Sequence, residues 1–105
     1  EIDTMVRHRL PVKMFVGNNS IWGIDWQIQK GLFGRPVWTD LLPTRYDAVA
    51  KGLGAYGEHV TRSEDLEGAV RRAFSYDGPA LINIDVDQVI SPVAEAAINR
   101  KLGSH

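Results

Sequence analysis

Asn18 and Asn19 are adjacent amides at the end of an apolar run, in the stretch VGNNSIWG that spans residues 16–23. A carboxamide oxygen is a neutral, hard donor suited to Mg²⁺ or Ca²⁺, and unlike a carboxylate it adds no charge to a site that already holds anions. At a strand end the same residues also make Asx turns, in which the side-chain oxygen accepts from a nearby backbone N–H; on two residues alone that role is the commoner one. Other chemistry-bearing side chains are sparse. His8, His59 and His105 lie far apart, lack ligand or triad spacing, and read as surface or strand residues without a role. Asp85 and Asp87 alternate along and beyond a strand end and read as solvated. With no cysteine in the chain, disulfides, thiolate metal sites and cysteine nucleophiles are excluded.

The chain that positions these residues has 105 positions, 44% of them hydrophobic, enough for one modest core. A formal net charge of −1 with no run of like charge points away from nucleic acid. No apolar run approaches the roughly 18 to 20 residues that span a bilayer, and no signal-peptide pattern opens the chain, so the expectation is a soluble, cytoplasmic protein without a membrane partner. The sequence begins on Glu1 and enters at once an amphipathic pattern (Ile2, Met5, Val6) with no N-cap residue before it, which reads as a piece of a larger protein or one chain of a split one.

Residues 1–9 read as the end of a helix, closed by RHRLP, where Pro11 forbids continuation. VKMFVG (residues 12–17) is a short β-rich run, and the asparagines stand just past it. Residues 23–30 suit a short helix with Ile24 and Ile28 at i and i+4. The segment from Gly31 to Pro43 is rich in glycine and proline and reads as an inter-subunit or inter-domain loop; Trp26 and Trp38 read as core or interface. YDAVAKGLG is a helix stopping at Gly54. EHVT is a strand, and SEDLEGAVRRAF a helix with Ser63 as its N-cap and Leu66, Ala69, Val70 and Phe74 as its apolar face. PALINIDV is a second strongly apolar strand, and SPVAEAAINRKLGSH a short helix or loose tail. Helices alternating with strands that are apolar on both faces predict an α/β fold, a parallel sheet flanked by helices. In such sheets ligands bind at the carboxyl ends of strands, which is where the asparagines stand.

Three stretches, LPVKMFVGNNSIWGIDWQIQ, RYDAVAKGLGAYGEHV and AFSYDGPALINIDV, together resemble the C-terminal half of the diphosphate-binding (PP-type) domain of thiamine diphosphate (ThDP) enzymes. The resemblance covers residues 1–92 and is greatest to the acetolactate synthase-like group, which includes benzaldehyde lyase, oxalyl-CoA decarboxylase and 2-hydroxyacyl-CoA lyases. It implies a domain over residues 1–90 and a C-terminal tail over 91–105. It implies two cofactors, ThDP and Mg²⁺, with Asn19 ligating the metal through its side chain and Ile21 through its backbone carbonyl. Trp22 and Gly23 would then line the diphosphate, glycine permitting close backbone approach. Ile24, counted with the cofactor contacts, and Ile28 match substrate-pocket positions, and Gln27 and Asp25 would stand near the pocket mouth.

The family motif opens with Gly-Asp-Gly, which is absent here and would lie before Glu1, as would the large residue that bends the cofactor. The glutamate that activates the cofactor belongs to another domain of a neighbouring subunit, so no catalytic residue is assigned in this chain. The tryptophan that herbicide-sensitive acetohydroxyacid synthases carry near Ile28 is also missing, and SIWG is more similar to benzaldehyde lyase and actinobacterial synthase-like proteins. The implied function is a ThDP-dependent carbon–carbon lyase or ligase, a decarboxylase or carboligase of 2-keto acids or 2-hydroxyacyl-CoA compounds. Its partners would be the remainder of the same enzyme and a second subunit across the active site, in a homodimer or homotetramer. The competing reading is a non-catalytic α/β interaction module or split subunit that binds no cofactor of its own.

Overall fold

The computed structural model describes residues 1–89 and 91–103; His105, read as without a role, lies outside the described residues. The elements run α1 (Ile2–Arg7), β1 (Lys13–Asn18), α2 (Gly23–Phe33), α3 (Tyr46–Gly52), β2 (Tyr56–Val60), α4 (Leu66–Ser75), β3 (Ala80–Asp85) and α5 (Pro92–Gly103). They form two compact units, one of residues 1–18 and 45–86, the other of residues 19–44 and 87–105.

The first unit is a three-stranded parallel sheet in the order β1-β3-β2. Central β3 is buried along Ala80–Asn83, which is why three consecutive apolar residues, Ala80–Ile82, stand where a half-buried strand would alternate. The period-two geometry of the strand sends its side chains to two separate cores. On one face Ala80 and Ile82 meet Val60 and the fully buried Ala69 and Ala73 of α4. On the other Leu81 meets Ala50 and Ala55, with Ile2, Val6, Met14 and Val16 packed alongside. Helices therefore cover both sides of the sheet, as the sequence pattern predicts.

Alanines set these helix faces because a methyl lets the helix axis approach the sheet; the larger residues stay at the margins. Phe74, expected in the apolar face of α4, is exposed and stacks on Phe15 at 6.3 Å between ring centroids. Ser63 does not cap α4 either. Ser63–Asp65 forms a single 3₁₀ turn in which the Asp65 N–H reaches Arg62 O at 3.1 Å, so the α-helix starts at Leu66 and the serine hydroxyl reaches only Glu64. Gly54 does stop α3, in a left-handed conformation at φ +96°. β2 begins two residues before the expected EHVT, at Tyr56.

One polar cluster is buried among these elements. Asp47, 1% exposed, receives two hydrogen bonds from Arg45, at 2.9 and 2.8 Å, and one from Asn83 Nδ2 at 3.5 Å. The Arg45 guanidinium holds the Asp47 carboxyl down, at about 2 against its ordinary 3.8. Asn83 Oδ1 is buried and has no hydrogen-bond partner among the described residues. Asp85, expected to be solvated, is half exposed and meets His59 Nε2 at 2.8 Å.

In the second unit α2 packs on α5. The approach is close because Gly31 has no side chain; a Cβ there would stand 2.4 Å from Ile98 Cδ1. α2 runs three residues past the expected Lys30 and stops at Gly34, φ +79°. Residues 92–103, read as a short helix or loose tail, are helical. Trp38 is not in a core: it is 96% exposed and has φ +58°.

Candidate functional site

β1 ends at Asn18, and the next three residues set the geometry of the candidate site. Asn19 Oδ1 accepts the N–H of Ile21 at 3.3 Å, the contact of an Asx turn, and the turn passes through Ser20 at φ +59°. Gln88 Nε2 donates to Asn19 O at 3.0 Å and so holds the preceding Asn19–Ser20 peptide. The turn reading and the ligand reading are compatible, because an amide oxygen has two lone pairs and the turn uses one.

Ile21 forms an isolated antiparallel bridge with Asp40. Its hydrogen bonds are made by the flanking residues: Trp22 N–H to Thr39 O at 2.7 Å, and Leu41 N–H to Ser20 O at 2.8 Å. In such a pair the bridged residue's own N–H and C=O point away from the partner strand. The Ile21 carbonyl thus faces the edge on which its N–H meets Asn19, so the two neutral oxygens singled out by the sequence share one side. Ile21 as a whole is buried, at 6% exposed.

α2 begins immediately afterwards. Its N-cap, Trp22, makes no side-chain cap hydrogen bond, so the first-turn N–H groups carry no cap of that kind. A Cβ on Gly23 would meet nothing closer than Asn19 Nδ2 at 3.7 Å, so the chain's own packing does not require the glycine. Uncapped helix N–H groups beside a residue that leaves backbone accessible suit an anion such as a diphosphate. Trp22 is 63% exposed and Ile24 48%, while Ile28 is half-buried one turn on. Asp25 is exposed in the first turn.

Gln27 is turned elsewhere. Its side chain is buried, donating to Val89 O and accepting the Ser91 N–H at 2.8 Å, so its amide ties Val89 and Ser91 to α2. The structure therefore brings Asn19, Ile21, Trp22 and Gly23 together, with Ile24 beside them. Four residues that support this arrangement escaped the sequence reading: Gln29, Thr39, Asp40 and Gln88. They are polar residues in a loop and on a helix flank, and no periodicity marks them.

Two hard neutral oxygens fit Mg²⁺ as part of a coordination set. Among the described residues no group of three or more His, Cys, Asp or Glu side chains is placed to hold a metal, so the fit rests on the amide and carbonyl pair. No described helix is long and apolar enough to cross a membrane.

Residues 1–84 match the family described as thiamine pyrophosphate enzyme, C-terminal TPP binding domain. Among curated proteins, a probable acetolactate synthase of Mycobacterium bovis is 40% identical over 92 residues, covering 87% of this chain and 17% of that protein. A 2-hydroxyacyl-CoA lyase 2 of Caenorhabditis elegans is 39% identical over 90 residues, covering 80% of this chain and 14% of that protein. Among solved structures, benzoylformate decarboxylase from Polynucleobacter necessarius superposes with a TM-score of 0.75 at 26% identity, over 87% of this chain and 17% of that one. The chain thus spans about a sixth of the length of the relatives it matches. The family read from the asparagine motif and its flanking stretches is borne out, and the chain belongs to the thiamine pyrophosphate enzymes through their C-terminal TPP-binding domain.

Proposed function

We propose that this chain is a segment of a ThDP- and Mg²⁺-dependent carbon–carbon lyase or ligase acting on 2-keto acids or 2-hydroxyacyl-CoA compounds. The observation that carries the reading is the common direction of Asn19 Oδ1 and the Ile21 carbonyl, both hard neutral oxygens on one edge of the 19–22 turn. Those two atoms hold the metal. The N–H groups at the start of α2, with Trp22 and Gly23, face the diphosphate, and Ile24 and Ile28 give the substrate pocket an apolar wall. Gln27, by tying Val89 and Ser91 to α2, shapes the border of that pocket.

Bound in this way, ThDP supplies an electron sink for the carbanion left when the bond beside a carbonyl breaks. The residues of this chain bind, orient and exclude water. None is given an acid–base role, and the groups that move protons come from the remainder of the enzyme and from a second subunit across the active site, in a homodimer or homotetramer. The match of this chain to about a sixth of its relatives' length supports that division.

The second reading, a non-catalytic interaction module, draws on the exposed apolar side chains of Phe33, Trp38 and Leu42, at 75, 96 and 80% exposure. Calorimetric titration of the full-length protein with ThDP, with and without Mg²⁺, separates the two. Mg²⁺-dependent binding that Asn19→Ala removes is the expected result; no binding under either condition favours the interaction module. Turnover of a 2-keto acid against a 2-hydroxyacyl-CoA then assigns the substrate class.

A further inference from the structure

We infer that Gln29 is a positioning residue for the Ile21 carbonyl, acting through residues 37–41; the inference rests on the metal-binding reading above. Gln29 lies in the second turn of α2, and its Oε1 accepts two hydrogen bonds, from the Val37 N–H at 2.7 Å and from the Thr39 hydroxyl at 3.2 Å. These donors straddle Trp38, which contributes no burial of its own and sits at a positive φ that a bulky side chain adopts only with strain. What holds this turn of the loop is therefore the glutamine oxygen, not packing of the tryptophan.

The consequence passes along the backbone. Thr39, 6% exposed, supplies the carbonyl that accepts the Trp22 N–H, and Leu41 donates to Ser20 O, so residues 39–41 clamp the peptides on either side of Ile21. Asp40, opposite Ile21, is pinned in turn by Trp26 Nε1 at 2.9 Å. Gln29 and Trp26, three positions apart on α2, thus anchor two successive points of the strip that sets the direction of the Ile21 carbonyl. Without the Gln29 acceptor the Thr39 hydroxyl and the Val37 N–H lose their partner, the strip is free to shift, and the carbonyl loses its fixed aim. Groups that orient a metal-ligating atom typically change metal affinity ~10–100-fold when removed.

The test measures the Mg²⁺ affinity of the full-length protein by calorimetry at saturating ThDP. Gln29→Met keeps length and removes the acceptor; Gln29→Glu keeps an oxygen that accepts both bonds; Thr39→Val removes one donor at nearly constant volume. Gln29→Met is expected to weaken Mg²⁺ about ten-fold, with full ThDP occupancy restored by excess Mg²⁺. Thr39→Val should weaken it less, and Gln29→Glu should bind as the unmodified protein does. Wild-type Mg²⁺ affinity in Gln29→Met, alongside loss of binding in Asn19→Ala, overturns the positioning role and leaves the metal reading standing. Wild-type affinity in Asn19→Ala overturns the metal reading, and this inference with it. If Gln29→Met does not fold, Thr39→Val decides: unchanged Mg²⁺ affinity there overturns the role.

Discussion

The side-chain oxygen of Asn19 accepts the N–H of Ile21 at 3.3 Å, while Ile21 pairs through its neighbours with residues 39–41 on the opposite edge. The first asparagine and the second are therefore not equivalent. Asn18 closes β1 in register with Asp85, and its carbonyl takes the Val86 N–H at 3.1 Å, whereas Asn19 places its amide beside the Ile21 backbone. Asn19→Ala is expected to weaken Mg²⁺-dependent ThDP retention by at least about ten-fold, the scale on which ligand and orienting groups act. Asn18→Ala should weaken it far less. Retention after gel filtration, compared at limiting and saturating Mg²⁺, measures both, and equal losses would sink the assignment of the ligand to Asn19.

Asp47 gives a prediction in pH. Its carboxyl is held at about 2 in the folded chain, by Arg45 first, against an ordinary 3.8. A depressed folded-state value stabilises the charged form, so the contribution is fully present above pH 4 and is lost as pH falls from about 4 towards 2. Asp47→Asn should flatten that acid limb of the unfolding curve and lower stability at neutral pH, because it removes the charge paired with Arg45. Arg45 keeps half of its side chain in water, so the loss at pH 7 should fall at the low end of the range for broken ion pairs, about 1–3 kcal/mol. Urea denaturation at pH 7 and at pH 3 checks both parts; an unchanged pH dependence in the variant would place the acid sensitivity elsewhere.

The fold was legible where burial imposes a period. β3 reads as apolar over Ala80–Ile82 because both its faces are covered, and of the apolar face read for α4 Ala69 lies on the sheet, beside Ala73, which that reading did not include, while Phe74 is exposed. The asparagine motif was legible because it combines residue type with a strand end. What escaped notice depends on side chains meeting across sequence gaps of eight to ten residues without regular structure, as Gln29 meets Val37 and Thr39. Ser63 misled for a related reason: its type and acidic followers suit an N-cap, but a 3₁₀ turn satisfies the local backbone first. The burial of Asp47 was equally invisible, because a charged residue in the first turn of a helix reads as solvated until its partner Asn83 is brought in from β3.

Two glycines at either end of α3's contact with the sheet should respond oppositely to the same substitution. A Cβ at Gly57 would stand 2.2 Å from the Asp47 carbonyl oxygen and 3.0 Å from its carbon, both backbone atoms that cannot rotate away. Gly57→Ala is therefore expected to destabilise by about 1–3 kcal/mol or more, as overpacking against a fixed wall does. Gly52, in the last turn of α3, has open space where a Cβ would go and no positive φ. Gly52→Ala should stabilise by about 0.4–1 kcal/mol, chiefly by restricting the unfolded chain. Paired thermal melts decide it: a stability loss in Gly52→Ala, or none in Gly57→Ala, contradicts the packing described.

Gly31 offers a case in which the opposing wall is a side chain and the clash can be relieved. Its hypothetical Cβ lies 2.4 Å from Ile98 Cδ1, 2.8 Å from Cγ1 and 3.1 Å from Cγ2, so the Ile98 side chain has to move to admit it. Gly31→Ala alone should loosen α2 from α5 and cost about 1–3 kcal/mol. Ile98→Ala alone removes a buried side chain and should cost about 2–5 kcal/mol. In the double variant the new methyl occupies part of the space vacated by Ile98, so the combined loss should fall short of the sum by at least about 1 kcal/mol, a coupling of the size found between residues in contact. A complete cycle of urea denaturation on the four proteins measures that coupling. Strict additivity would mean that α2 and α5 do not meet at this pair.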